Sequence, residues 1–326
     1  MDALSDVLRV TRLTGAVFFT TRVTAPWAIR SLPPERLAPL LGVRPDCFAM
    51  FHVVVEGRCR FALDGGEPVE VEAGTMVLLP HGDEHVMASG PGLEPEPVTA
   101  LLPARDEPGI PNIEGGGGGD AARFVCGYLH CDQRFNPLIG ALPGLIVACP
   151  RRGLLRALPR AGEGSGRSST SVETTSIDGD GDGGGATDTD RWLATTLRYA
   201  MEEAESDRPG SPAMLARLTE VLYLEVLRRY MRELPAERTG WLAGLRDPEV
   251  GRALRLVHAH PDRKWTVDAL AREVGLSRSA LAQRFSDLVG EPPMQYLAGW
   301  RMHLARHLLK QPALSIAQVA KRVGYG

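Results

Sequence analysis

The sequence has no apolar run approaching the roughly 20 residues that a membrane helix needs. Its opening stretch, MDALSDVLRVTRLTG, carries acidic residues and no cleavage pattern, which points away from a signal peptide. Ala3, Leu4, Val7 and Leu8 instead predict a short amphipathic helix. Cysteine is scarce. Five in 326 residues is the usage of a reduced, cytoplasmic protein and excludes a disulfide framework. A strong overall charge is also missing, since the net value is −3. That small number conceals an asymmetry. From Arg252 onward there are 12 basic and 5 acidic residues (+7), against 25 basic and 35 acidic in the remainder (−10). A basic C-terminal piece on an acidic body suits a phosphate-binding module joined to a sensor, although charge alone fits a solvated surface as well.

An internal repeat decides between those two. TVDALAREVGLS at 266–277 aligns with SIAQVAKRVGYG at 315–326, an offset of 49 residues. Thr266 falls on Ser315, Ala271 on Ala320, Val274 on Val323 and Gly275 on Gly324. Each copy has a helix cap, an apolar face and a glycine turn. The first continues into LSRSALAQRFSDLVG, a second helix with Leu281, Phe285 and Leu288 on one face. Helix, glycine turn and helix is the helix-turn-helix pattern, whose second helix enters the DNA major groove. The second copy stops at GYG and reads as a truncated unit.

The 44% hydrophobic content supplies cores for two domains. The fold class expected is α+β. A small β-barrel or jelly roll is expected at 1–160, where short β-branched runs alternate with Gly/Pro/Asp turns. A disordered low-complexity insertion covers 161–190. A helical segment at 191–236 packs on the barrel, and a DNA-binding domain, incomplete at its C-terminus, spans 245–326. In the helical segment, Leu215, Leu218, Val221, Leu222, Val226, Leu227 and Tyr230 form a stripe broad enough for core packing or for a dimer face. PPMQYLAGWRMHLARHLL at 292–309 is a long helix joining the two repeats.

From 252 onward the chain resembles the DNA-binding region of AraC/XylS-type bacterial transcription regulators. The segment 290–297, the RMxxARxLL helix and the GY turn carry the resemblance. GTMVLLPHGDEHVM, FVCGYLHCD and NPLIGALP are similar to the subgroup with a cupin sensor. The resemblance implies DNA contacts at Ser279, Ala282 and Gln283. Arg278 and Arg284 suit phosphates, which position rather than specify. It further implies promoter DNA, a small-molecule effector and RNA polymerase as partners, a homodimer, a cytoplasmic location, and neither a membrane nor an enzymatic activity.

GTMVLLPHGDEH fits the second cupin signature through Gly74, Pro80, Gly82 and His85. In metal cupins that histidine is a ligand, joined by an H-x-H pair and a glutamate. Here the glutamate position falls near Met50 and the H-x-H pair is absent, so the usual cupin metal site is broken. His52, His81, His85, Cys126, His130 and Cys131 form a different candidate cluster. It has zinc-type ligands without a zinc-type spacing. It equally fits a redox pair at Cys126 and Cys131, or a buried cysteine among hydrogen-bonded histidines. Cys47, Cys59 and Cys149 read as structural. Rival readings are a dimerisation partner that does not bind DNA and a cupin enzyme with a degenerate tail.

Overall fold

The computed structural model describes residues 3–11, 14–40, 48–101, 112–130, 137–150, 154–159, 172–173, 188–204, 206, 208–234, 240–310 and 313–325. The N-terminal amphipathic pattern forms α1 (Ala3–Thr11), which buries Ala3 and Val7 one turn apart. A sheet-rich stretch follows: β1 (Thr14–Thr24), β2 (Ala28–Arg30), α2 (Pro34–Leu40), β3 (Phe48–Glu56), β4 (Arg58–Leu63) and β5 (Val69–Glu72). It continues through β6 (Met76–Leu79), β7 (His85–Ala88), β8 (Glu96–Pro97), β9 (Asn112–Gly116) and β10 (Ala121–His130). Then come α3 (Pro137–Gly140), β11 (Leu145–Cys149), β12 (Leu154–Leu158) and β13 (Val172–Glu173). The helices that follow are α4 (Asp188–Ala204), α5 (Ser211–Glu233), α6 (Trp241–Arg246), α7 (Pro248–Ala259), α8 (Val267–Val274), α9 (Arg278–Val289), α10 (Pro293–Leu309) and α11 (Ile316–Arg322).

The strands build two sheets, in the orders β13-β12-β11-β6-β3-β10-β1-β9 and β5-β4-β7-β2-β8. Alternation along β4 shows how they enclose a core. Cys59, Phe61 and Leu63 are buried, whereas Arg58, Arg60 and Ala62 between them are not. Phe61 joins Met50, Val77, Leu79, Phe124 and Leu145 in one apolar cluster. Burying a side chain of that size contributes roughly 1.5–3 kcal/mol. The β3–β4 turn requires glycine: Gly57 has φ +75°, and a Cβ there would stand 2.3 Å from the Ala121 carbonyl oxygen.

Helices α4 and α5 cover the outer face of the larger sheet, where Leu215 and Leu222 meet Phe51, Val53, Met76 and Val125. A buried ion pair between Arg229 and Asp190, 2.6 Å apart, ties the last turns of α5 to the first turn of α4. The broad apolar stripe divides. Leu215, Leu222, Val226, Leu227 and Tyr230 are buried, but Val221 is 45% exposed beside Trp192, itself 43% exposed.

The chain separates into two compact units. One contains Leu13–Cys131 and Pro143–Glu233; the other contains Met1–Arg12, Asp132–Leu142 and Leu234–Gly326. Residues 3–11 and 137–142, which sequence order places in the sensor domain, therefore belong with the helical unit, where α1 packs on α7 and α10 and α3 packs on α6. Within the low-complexity stretch expected at 161–190, Val172–Glu173 pairs with β12 and 188–190 begin α4. The remainder, 161–171 and 174–187, lies outside the described residues.

Candidate nucleic-acid interface and barrel interior

The repeat found in the sequence is a repeat of hydrogen bonds. The Thr266 hydroxyl caps α8 by accepting from the Ala269 N–H at 3.1 Å. Forty-nine positions on, the Ser315 hydroxyl caps α11 by accepting from Gln318 at 3.3 Å. Gly275 and Gly324 both occupy the left-handed region, with φ of +79° and +85°. After them the Leu276 N–H donates to the Ala271 carbonyl at 3.0 Å, and the Tyr325 N–H to the Ala320 carbonyl at 2.8 Å. These bonds satisfy carbonyls that a helix end leaves open and turn the chain sharply. In the first copy, Ser277 then caps α9 by accepting from Ala280.

Helix α9 is anchored by Leu281 and Phe285, both buried, while Leu288 is half-buried. Phe285 meets Tyr296 edge-on with ring centroids 5.8 Å apart. The Trp241 indole N–H donates to the Tyr296 hydroxyl at 2.7 Å. The same hydroxyl lies 2.7 Å from His258 Nε2. Burial, assisted by the nearby His303, lowers the His258 pKa to about 3. His258 also stacks on Trp300 at 4.0 Å.

The opposite side of α9 presents Arg278, Ser279, Gln283 and Arg284 as exposed residues, with Ala282 half-buried. Arg278 stands 3.9 Å from Asp268. Arg284 is engaged more firmly: its Nε and a terminal nitrogen donate to Asp247 Oδ2 at 2.9 and 2.6 Å, and Glu249 lies 3.2 Å away. Asp247 Oδ1 accepts from the Glu249 and Val250 N–H groups and so caps α7. Burial opposes the Asp247 carboxylate, yet the Arg284 hydrogen bond and the cap together hold its pKa below the usual value.

Inside the barrel, the structure brings His52, His85 and Cys126 together. Cys126 on β10 is the register partner of His52 on β3, and Sγ and Nδ1 are hydrogen-bonded at 2.9 Å. From the facing sheet, the His85 ring lies 4.8 Å from His52 and stacks on Phe61 at the same distance. His85 Nδ1 lies 3.0 Å from both the Ser31 hydroxyl and the Asp83 carbonyl. Burial lowers the His85 pKa to about 4 against the opposing Asp83 contact. Burial, with His85 adding to it, also lowers that of His52 well below its usual value. Burial pushes the Cys126 thiol up, although Thr21 opposes the shift. Among the described residues, His52 Nε2 is buried without a hydrogen-bond partner.

His81 and His130 lie elsewhere. His81 sits in the turn before β7, and His130 ends β10, opposite Phe48. Cys131 and Cys47 are outside the described residues. Cys59, Cys126 and Cys149 are buried free thiols. The trio does not fit zinc. Two tetrahedral ligand atoms on one zinc are about 3.5 Å apart, whereas Sγ and Nδ1 are at hydrogen-bond distance and the thiol is held protonated. Among the described residues, no three His, Cys, Asp or Glu side chains are arranged to hold a metal ion.

A cupin family model matches residues 2–161 and 184–232, and a helix-turn-helix domain model matches residues 270–326. An AraC-like transcription regulator of Streptomyces lividans is 30% identical over 100% of this chain and 91% of its own length. This chain belongs to the AraC-like transcription regulators. The regulator AlkR of Acinetobacter baylyi is 27% identical over 100% of this chain and 92% of its own. Among solved structures, ToxT of Vibrio cholerae O395 is 10% identical, covering 96% of this chain and 88% of its own with a TM-score of 0.28. This AraC-like protein is thus a transcription regulator with a cupin and a DNA-binding helix-turn-helix domain. No helix among the described residues is long and apolar enough to cross a membrane.

Sequence reasoning misses Ser31, Phe61, Asp247 and Asp287. The first three reach their partners only through the tertiary fold. Asp287 lies one helical turn beyond Gln283, a spacing that marks side-chain neighbours on a helix.

Proposed function

We propose that this AraC-like protein recognises promoter DNA sequence-specifically by laying α9 in the major groove, under the control of a signal sensed in its barrel. The outward face of α9 carries the reading: Arg278, Ser279, Ala282 and Gln283 lie opposite the buried Leu281 and Phe285. A glutamine amide bonds adenine through two hydrogen bonds, and an alanine methyl meets the thymine methyl. Arg278 pairs with phosphate.

The buried Nε2 of His52, without a partner among the described residues, supports a polar effector inside the barrel. The exposed Trp192, Met214 and Val221 support pairing of two copies through α4 and α5. RNA polymerase is the partner through which such a protein acts at a promoter, and the cytoplasm is its compartment. The test is a salt series of affinities for a random-sequence duplex. Binding should weaken steeply with salt, and Arg278→Ala should lower the logarithmic slope by about one. Absence of binding, or affinity indifferent to salt, contradicts the reading.

A further inference from the structure

We infer that Asp287 is a positioning residue that sets the base preference of Gln283. The inference rests on α9 being the recognition helix. Gln283 and Asp287 are both exposed, and Gln283 Nε2 donates to Asp287 Oδ1 at 2.8 Å. A free glutamine amide turns about a broad, two-fold terminal torsion, so its oxygen and nitrogen exchange places at little cost. Beside Asp287 they are not equivalent. One orientation gives the carboxylate a donor; the other sets two acceptors against each other.

With one N–H committed to Asp287, the amide retains one N–H and its oxygen. A donor beside an acceptor is what adenine requires, through N7 and the N6 amino group. The carboxylate also acts against binding in general, because it is a negative charge on the face that meets phosphates. Arg284, on the same helix, has its guanidinium turned to Asp247. Asp287 therefore adds discrimination and subtracts affinity. An exposed pair one turn apart adds little to helix stability, so a purely structural role predicts neither effect.

The test uses the full chain and a randomised duplex library, with selected-site profiles and random-duplex affinities for four proteins. Wild type should favour one base pair by roughly 5- to 150-fold, the span of a bidentate contact. Gln283→Ala should flatten that position. Asp287→Ala should flatten the same position while binding random duplex roughly two- to fivefold more tightly. Asp287→Asn should bind random duplex just as tightly but keep the preference, because its amide oxygen still accepts. Thermal unfolding at the wild-type temperature separates these effects from misfolding. If Gln283→Ala flattens the position and Asp287→Ala leaves it intact, this inference is overturned and the reading of α9 survives. If Gln283→Ala also leaves the profile intact, or wild type enriches no motif, both fall.

Discussion

Arg284 and Asp247, 37 positions apart in the sequence, meet through two hydrogen bonds to a single carboxylate oxygen. The pair joins α9 to the cap of α7. Asp247→Ala should lower stability by about 0.5–2 kcal/mol, the usual cost of a lost N-cap. Arg284→Ala leaves the cap intact and should cost less. Because its guanidinium is turned to α7, Arg284→Ala should also leave the salt slope of DNA binding unchanged, in contrast to Arg278→Ala. Urea unfolding and salt series on the three variants check both statements. An equal drop in slope for the two arginines would make Arg284 a phosphate contact after all.

The Tyr296 hydroxyl is hydrogen-bonded to two ring nitrogens, Trp241 Nε1 and His258 Nε2. Tyr296→Phe keeps the ring against Phe285 but leaves both nitrogens buried and unsatisfied. The expected loss is about 1–3 kcal/mol in urea unfolding. A neutral substitution would mean that water replaces the hydroxyl.

The buried histidines give stability a definite pH dependence. Burial holds His85 at about 4 and His258 at about 3, with His52 also well below its usual value. In the unfolded chain each titrates near 6.5. Between these limits the unfolded state binds protons that the folded state does not. The contribution is complete above about pH 6.5 and is lost as pH falls toward the folded values, at about 1.4 kcal/mol per pH unit for each proton. Unfolding temperature should be flat above neutrality and fall between about pH 6.5 and 5. A flat curve through that interval contradicts the burial of these rings.

Cys126 is fully buried, and its thiol is held protonated by burial. It should resist alkylation in the folded protein and react once the protein is unfolded, as peptide mapping would show. Rapid labelling of folded protein at Cys126 would support the redox reading instead.

The helix-turn-helix is legible in the sequence because its defining bonds are local: caps three residues apart and a glycine turn, present twice at one spacing. The barrel interior is legible only by parity. Alternation puts Phe124, Cys126, Tyr128 and His130 on one face of β10, and Phe124 and Cys126 do enter the core. Parity does not measure distance along a strand. His130 lies four residues beyond Cys126, about 13 Å at strand rise, and so stands apart from His52. The pairing of Cys126 with His52 depends on a register between strands 74 positions apart, which no local pattern encodes. The same holds for α1, whose apolar face is plain in the sequence while its partners, α7 and α10, are not.

The central claim is that the outward face of α9 lies against the bases. A photoreactive group attached at Ser279→Cys, in protein saturated with a selected duplex, tests it directly. The account predicts crosslinks to bases at one site of the duplex, abolished by excess unlabelled duplex of the same sequence. Saturated binding without a crosslink, or crosslinks scattered along the duplex, would contradict it.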